Sequence, residues 1–355
     1  MLCVSRQQQS DKPASGTRSC NLFLLKLFSV ALIGGHASTA FAEPSAQVVH
    51  EKRVALGKSI FQDTSLSRDH GTSCQSCHDP SLAYADHKAL SGGTDSRVGT
   101  RNAPSLIGIG NDATYFWDGR RSRLEDAVLD PFTNPVELGL DSREELLARL
   151  NDSSMRKKQF REAFPNSQSI SSDELAGALA AFIRSLDAKD TAPHASDPKT
   201  NAYEAQQGRK IFEGVGGCNE CHKIEGTLAR SDDQFHHSGV QQLDAEHLAQ
   251  HTKDVIAANF DASALGPKIL TDSAWSSLGR FVVSHQPADI GAFRTPSLRN
   301  VALTYPYMHD GSIATLAQAV DHEVYYRGLS QGHPIELSFA ERQSLVRFLE
   351  TLTDP

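Results

Sequence analysis

Two short segments constrain this 355-residue chain more than any other feature: Cys74-Gln75-Ser76-Cys77-His78 and Cys218-Asn219-Glu220-Cys221-His222. A Cys-x-x-Cys-His run is the attachment signature of a c-type haem. Its two thiols add to the porphyrin vinyl groups, and the imidazole that follows becomes the proximal iron ligand. Paired cysteines also build zinc sites and disulfides. Two copies, each with histidine directly after the second cysteine, select haem over both. The motifs predict two covalent haems, one on Cys74 and Cys77 and one on Cys218 and Cys221, with His78 and His222 as iron ligands. Such a chain is committed to redox work.

The remaining cysteines, Cys3 and Cys20, lie in or before a segment that reads as an export signal. Arg6, Lys12 and Arg18 precede a short apolar run over residues 22–35, and Ala40-Phe41-Ala42 supplies a small-x-small cleavage site. The run is too short and wrongly flanked for a stable membrane span. Loss of residues 1–42 removes both cysteines and leaves 313 residues, with no membrane insertion expected. Cys20 precedes the run, unlike a lipoprotein cysteine. An exported chain with covalent haem points to a bacterial periplasm. The mature part carries 31 basic and 42 acidic residues, a net charge of −11. That balance gives no reason to expect nucleic acid or an anionic membrane, and is compatible with a basic or dipolar electron-donor protein.

The two halves repeat. Gly57-Lys58-Ser59-Ile60-Phe61 and Gly208-Arg209-Lys210-Ile211-Phe212 precede the haem motifs. Downstream, Arg101-Asn102-Ala103-Pro104-Ser105-Leu106 echoes Arg294-Thr295-Pro296-Ser297-Leu298. Asp118-Gly119 and Asp310-Gly311 each follow their proline by 14 residues, and Leu124 with Ala127-Val128 matches Leu316 with Ala319-Val320. Fixed offsets over this length argue for two copies of one haem-binding unit. Each copy ends in an expected helix with a capping box, Ser171 to Glu174 and Ser338 to Glu341. Leu175, Leu179, Phe182, Ile183 and Leu186 stripe the first, and Leu345, Val346, Phe348, Leu349 and Leu352 the second. The haem motifs are expected to open or lie on helices. The predicted fold is mainly α, with cytochrome c-like haem domains at 43–190 and 191–355. The polar stretch Asp187–Asn201, with two prolines, is the linker between them. The second half carries about 48 extra residues between its haem motif and its proline motif. This insert holds His236, His237, His247 and His251, and is expected to be a solvated, partly helical loop.

An electron carrier saturates both irons, whereas a haem enzyme leaves one open under polar groups. The chain resembles the bacterial di-haem cytochrome c peroxidases and their MauG-type relatives over residues 50–355. The resemblance is carried by Arg101–Ser105, Phe116-Trp117-Asp118-Gly119-Arg120, Asp130–Glu137, Arg294–Thr304 and Pro306–Gly311. It implies that the His78 haem meets hydrogen peroxide, and that Glu137 takes a proton from peroxide and returns it to the leaving oxygen. It places Pro131 in the same pocket, Trp117 between the haems as an electron relay, and Asn102 at a calcium ion between the domains. It also allows a homodimer.

Three departures qualify the resemblance. The family's pocket glutamine falls on Ala127, which removes one hydrogen-bond donor. A histidine that blocks the iron in typical peroxidases falls on Thr94, with His87 nearby as a substitute; an always-open iron is the expectation. The second haem's usual methionine falls on Ala292. Met308 is the chosen second ligand of the His222 haem, with Tyr307 and His309 as rivals. The expected activity is reduction of H2O2 with electrons from a small c-type cytochrome or cupredoxin. The alternatives are a MauG-like oxidant of a protein or organic substrate, and a di-haem electron carrier.

Overall fold

The computed structural model describes residues 45–186, 202–225, 228–240, 243 and 246–353. The expected export signal and the expected linker at 187–201 lie outside the described residues. The described residues belong to one compact unit, mainly helical. None of their helices is long and apolar enough to cross a membrane.

In the first half, α1 (Ala46–Phe61) packs on α6 (Ser172–Ser185). Between them in sequence come α2 (Leu124–Ala127), α3 (Asp130–Thr133), α4 (Arg143–Asp152) and α5 (Ser154–Ala163). In the second half, α7 (Ala202–Glu213) packs on α13 (Phe339–Glu350). Both capping boxes form as expected, at Ser171/Glu174 and Ser338/Glu341. The striped residues of α6 and α13 fill two separate cores, with Leu186 only partly buried at the edge of the first. Each helix pair crosses at a glycine. A Cβ on Gly57 would lie 2.0 Å from the Ala178 carbonyl oxygen, and one on Gly208 would lie 1.9 Å from that of Ser344. Only a residue without a Cβ permits this backbone approach.

The haem motifs differ from expectation. Neither opens an α-helix. Cys74–Ser76 and Cys218–Glu220 are single 3₁₀ turns. The first is followed by loop, and the second by a hairpin of β1 (His222–Glu225) and β2 (Leu228–Ser231). At the first motif the Ser73 amide bonds the Ser76 hydroxyl, and the Ser76 amide returns to the Ser73 carbonyl, which closes the turn after three residues.

The insert is also more ordered than a solvated loop. It contains α8 (Leu248–Ala258), α9 (Ala262–Thr271), α10 (Ser273–Ser277) and α11 (Phe281–Ser284). Val255, Leu265, Ile269, Trp275, Leu278, Phe281 and Val282 give it an apolar core of its own. Their spacing is split among four short helices, so no single long stripe advertises them. β3 (Phe235–His237) pairs antiparallel with β4 (Ala292–Arg294) and closes the insert.

The halves meet through reciprocal contacts. The Asn102 amide donates to the His309 carbonyl, and the Arg294 amide to the Trp117 carbonyl, both at 2.8 Å. The loops that supply these carbonyls are built alike. Tyr115 bridges Arg121 as Tyr307 bridges Ile313. Phe116 and Met308 have φ of 69° and 74°, and Gly119 and Gly311 have 68° and 65°. A Cβ on Gly119 would strike the Phe235 ring, and one on Gly311 the Ala89 backbone. Each Asp-Gly turn is thus pressed against the opposite half. Helix α12 (Leu316–Gln331) follows the second loop as α2 follows the first.

Candidate haem sites

An apolar cavity in the first half is lined by Cys74, Cys77, His78, Trp117, Ala127, Pro131 and Glu137, with Arg101, Asn102 and Arg120 at its polar edge. The His78 Nδ1 lies 3.0 Å from the Tyr84 carbonyl oxygen. That bond fixes the tautomer in which Nε2 carries the free lone pair, the state a metal-ligating histidine needs. Burial lowers the imidazole's pKa and keeps it neutral. Burial likewise pushes the Cys74 and Cys77 thiols up to about 12 and about 11. Conversion to thioethers removes any charged form from this apolar setting.

Five buried polar atoms of the cavity lining lack hydrogen-bond partners: Glu137 Oε2, Arg101 Nε and Nη1, Arg120 Nε and Ser91 Oγ. Buried polar groups are rarely left so in the absence of a ligand. Two guanidinium groups suit the carboxylates of a haem, and the Glu137 oxygen suits a small polar molecule in the same cavity. The residues present fit the group. Arg101 and Arg120 escaped the sequence reading as site residues. Their signal was an arginine at one end of two of the quoted motifs, Arg101–Ser105 and Phe116–Arg120.

Glu137 is held by its backbone. Pro131 sits in the first turn of α3, which ends at Thr133, and the chain then turns at Asn134-Pro135. The Glu137 amide donates to the Asn134 carbonyl at 3.1 Å, and its own carbonyl accepts from the Thr94 amide at 2.7 Å. Burial raises the carboxyl pKa to about 7, with Arg120 opposing and Asp130 adding to the rise. Thr94 is fully buried in this contact. His87 turns away from the cavity: its ring stacks on Tyr305 at 3.9 Å, and Nε2 meets the Leu303 carbonyl oxygen at 3.0 Å. Ala127 lines the cavity as expected.

Trp117 lies at the junction. Its indole Nε1 donates to the Asn102 carbonyl at 3.0 Å, and its ring meets His309 edge-on at 6.5 Å. His309 in turn stacks on Phe293 at 3.6 Å, and burial drives its pKa down to about 3. The Asn102 side-chain nitrogen donates to the carbonyls of Lys88 and Ala89.

In the second half, His222 Nδ1 lies 3.1 Å from the Pro296 carbonyl oxygen, the same proximal arrangement. Burial lowers its pKa to about 4 and raises the Cys218 thiol to about 11. The Arg327 Nε beside this motif is buried without a partner, while its Nη2 pairs with Glu220 at 2.5 Å. Of the three candidate second ligands, Tyr307 donates its hydroxyl to the Val301 carbonyl at 3.0 Å and packs in the second core. His309 is stacked at the junction, and Met308 is half-buried at the loop position that Phe116 occupies in the first half. Ala292 is buried in β4. Of the insert histidines, His236 pairs with Asp232 at 2.8 Å, His237 bonds the Ile290 carbonyl, and His247 and His251 stand one turn apart on α8.

Residues 51–196 match the model of the di-haem cytochrome c peroxidase family. The cytochrome-c peroxidase IdrP2 of Denitromonas iodatirespirans is 33% identical, over 92% of this chain and 90% of its own. The chain belongs to the di-haem cytochrome c peroxidase family. The methylamine utilization protein MauG of Methylorubrum extorquens is 32% identical over 87% of this chain and 80% of its own. A solved MauG-like protein associated with microbial copper homeostasis is 28% identical, with a TM-score of 0.66, over 86% of this chain and 90% of that one. As a member of the family, the protein is an oxidoreductase of the cytochrome-c peroxidase type.

Proposed function

We propose that this protein is a periplasmic di-haem peroxidase that reduces H2O2 to water, with electrons from a small c-type cytochrome or cupredoxin. Haem held by Cys74, Cys77 and His78 would supply the redox chemistry toward peroxide, and haem held by Cys218, Cys221 and His222 would supply an electron-accepting group. The observation that carries the reading is the unpartnered buried oxygen of Glu137 in the first cavity, on a carboxyl poised at about 7. A group with that pKa can accept a proton from peroxide near neutrality and return it to the departing oxygen. Pro131 and Ala127 keep the space beside it apolar, and Trp117 bridges toward the second half. The paired loops and glycine crossings support two copies of one haem-binding unit, with domains at 43–190 and 191–355. Met308 remains the proposed second ligand of the His222 haem. Calcium at Asn102 belongs to the same reading, and would rest on Oδ1, since the amide nitrogen already holds two carbonyls. An unchanged Tm after chelation with EDTA would remove it.

A second reading is a MauG-like oxidant that withdraws electrons from a protein or organic substrate. It is favoured by Thr94, whose amide is tied to Glu137, and by Ala292, whose methyl cannot ligate iron. The test mixes oxidised protein with H2O2 and reduced cytochrome c, beside a Glu137→Gln control. Rapid cytochrome oxidation without pre-reduction, lost in the control, supports the peroxidase. A haem spectral change with the cytochrome still reduced supports the second reading. No response at either haem supports an electron carrier.

A further inference from the structure

We propose that Glu323 is the carboxyl group that lines the second haem site, where the residues around Cys218, Cys221 and His222 would hold the group. The proposal rests on the reading that both motifs carry haem.

The placement follows from α12. Val320 and Val324 of this helix enter the second core. Arg327 leans on the haem motif, since a Cβ on Gly217 would lie 2.7 Å from its Nη2, and it pairs with Glu220. Tyr326 presses on Gly239, and His322 reaches the Ser238 carbonyl oxygen at 2.6 Å. Glu323 precedes Arg327 by one helical turn, and on a helix such residues share a face. Its side chain therefore points between the haem motif and the strand segment Phe235–Gly239.

The first half gives an independent placement. Leu124, Ala127, Val128 and Pro131 all line the first cavity. The loop match puts Leu316, Ala319, Val320 and Glu323 at the corresponding positions, 192 residues on. Pro131 lies in the separate helix α3, whereas glutamate at the equivalent place lets α12 run on to Gln331. The two sites thus carry their carboxyl groups from different positions, Glu137 after the turn and Glu323 on the helix itself. Glu323 is reached by solvent, yet surrounded closely enough that desolvation raises its pKa, against the opposing charges of His322, Arg327 and His236. The Cys218 thiol feels it in the same way that Cys74 and Cys77 feel Glu137. The elements around it also carry Asp232, Glu220, Cys221, His222, His237, Asp321, Tyr325 and Tyr326.

A carboxyl in this place would act on a haem held by Cys218, Cys221 and His222 and leave one held by Cys74, Cys77 and His78 unaffected. The experiment is Glu323→Gln in the haem-loaded protein, read by low-temperature EPR and by the reduction potential of each haem between pH 5 and pH 8. Glu213→Gln serves as the charge control, because Glu213 is exposed and paired with Arg209. We expect altered EPR signals and a flattened pH dependence at the second haem, unchanged signals at the first, no effect of the control, and partial rescue by Glu323→Asp. Second-haem signals identical to the parent would overturn the proposal, as would equal changes at both haems. A haem stain and mass showing one haem per chain would instead refute the underlying reading.

Discussion

Glu137 owes its character to burial, and its proton has consequences for both activity and stability. With its carboxyl raised from 4.5 to about 7, the rate of reaction with peroxide should climb as pH rises through about 7, where the carboxylate base forms. Stopped-flow mixing of the oxidised protein at each pH checks this. Glu137→Gln should flatten the profile and cost about 10²- to 10⁴-fold in rate. The folded chain also holds this proton more tightly than the unfolded chain does. Its contribution to stability is fully present below about 4.5 and is lost as pH rises toward about 7. The thermal midpoint of Glu137→Gln should therefore fall less than the parent's over that window, as differential scanning calorimetry would show. The identity of Glu137 could be read from Asn134-Pro135-x-Glu137. Its unpartnered oxygen and the Thr94 bond behind it could not, because 43 residues separate Thr94 from Glu137 in sequence.

At the scale of elements, two glycine crossings hold the helix pairs that frame the haem sites. Gly57→Ala forces a methyl onto the Ala178 carbonyl, and Gly208→Ala onto that of Ser344. Backbone atoms have no rotamer by which to yield, so each change should cost about 1–3 kcal/mol or more, measured by urea unfolding. Loss of the cap in Ser171→Ala should cost about 1 kcal/mol by the same measurement. The helices were legible because periodicity and caps are local properties. The haem-motif turns and the insert were not. A 3₁₀ turn of three residues leaves no period to read, and the insert's core is assembled from helices too short to show a stripe.

Across the whole molecule, the junction ties each half's proline segment to the other's Asp-Gly loop. Arg294 of β4 pairs with Asp112 of the first half at 2.7 Å, and both side chains are largely buried. Arg294→Ala should destabilise the protein by about 3 kcal/mol, because a buried carboxylate loses its main counter-charge. If the halves are coupled through this contact, denaturant unfolding followed at each haem should change from one shared transition to two.

Sequence alone determined the chemistry of attachment and the mainly helical class. Cys-x-x-Cys-His, the capping boxes and the apolar stripes are each complete within a few residues. Tertiary structure decided what surrounds each haem site. The Trp117–His309–Phe293 contacts and the brace on Glu137 join residues far apart in the chain, and only packing brings such groups together.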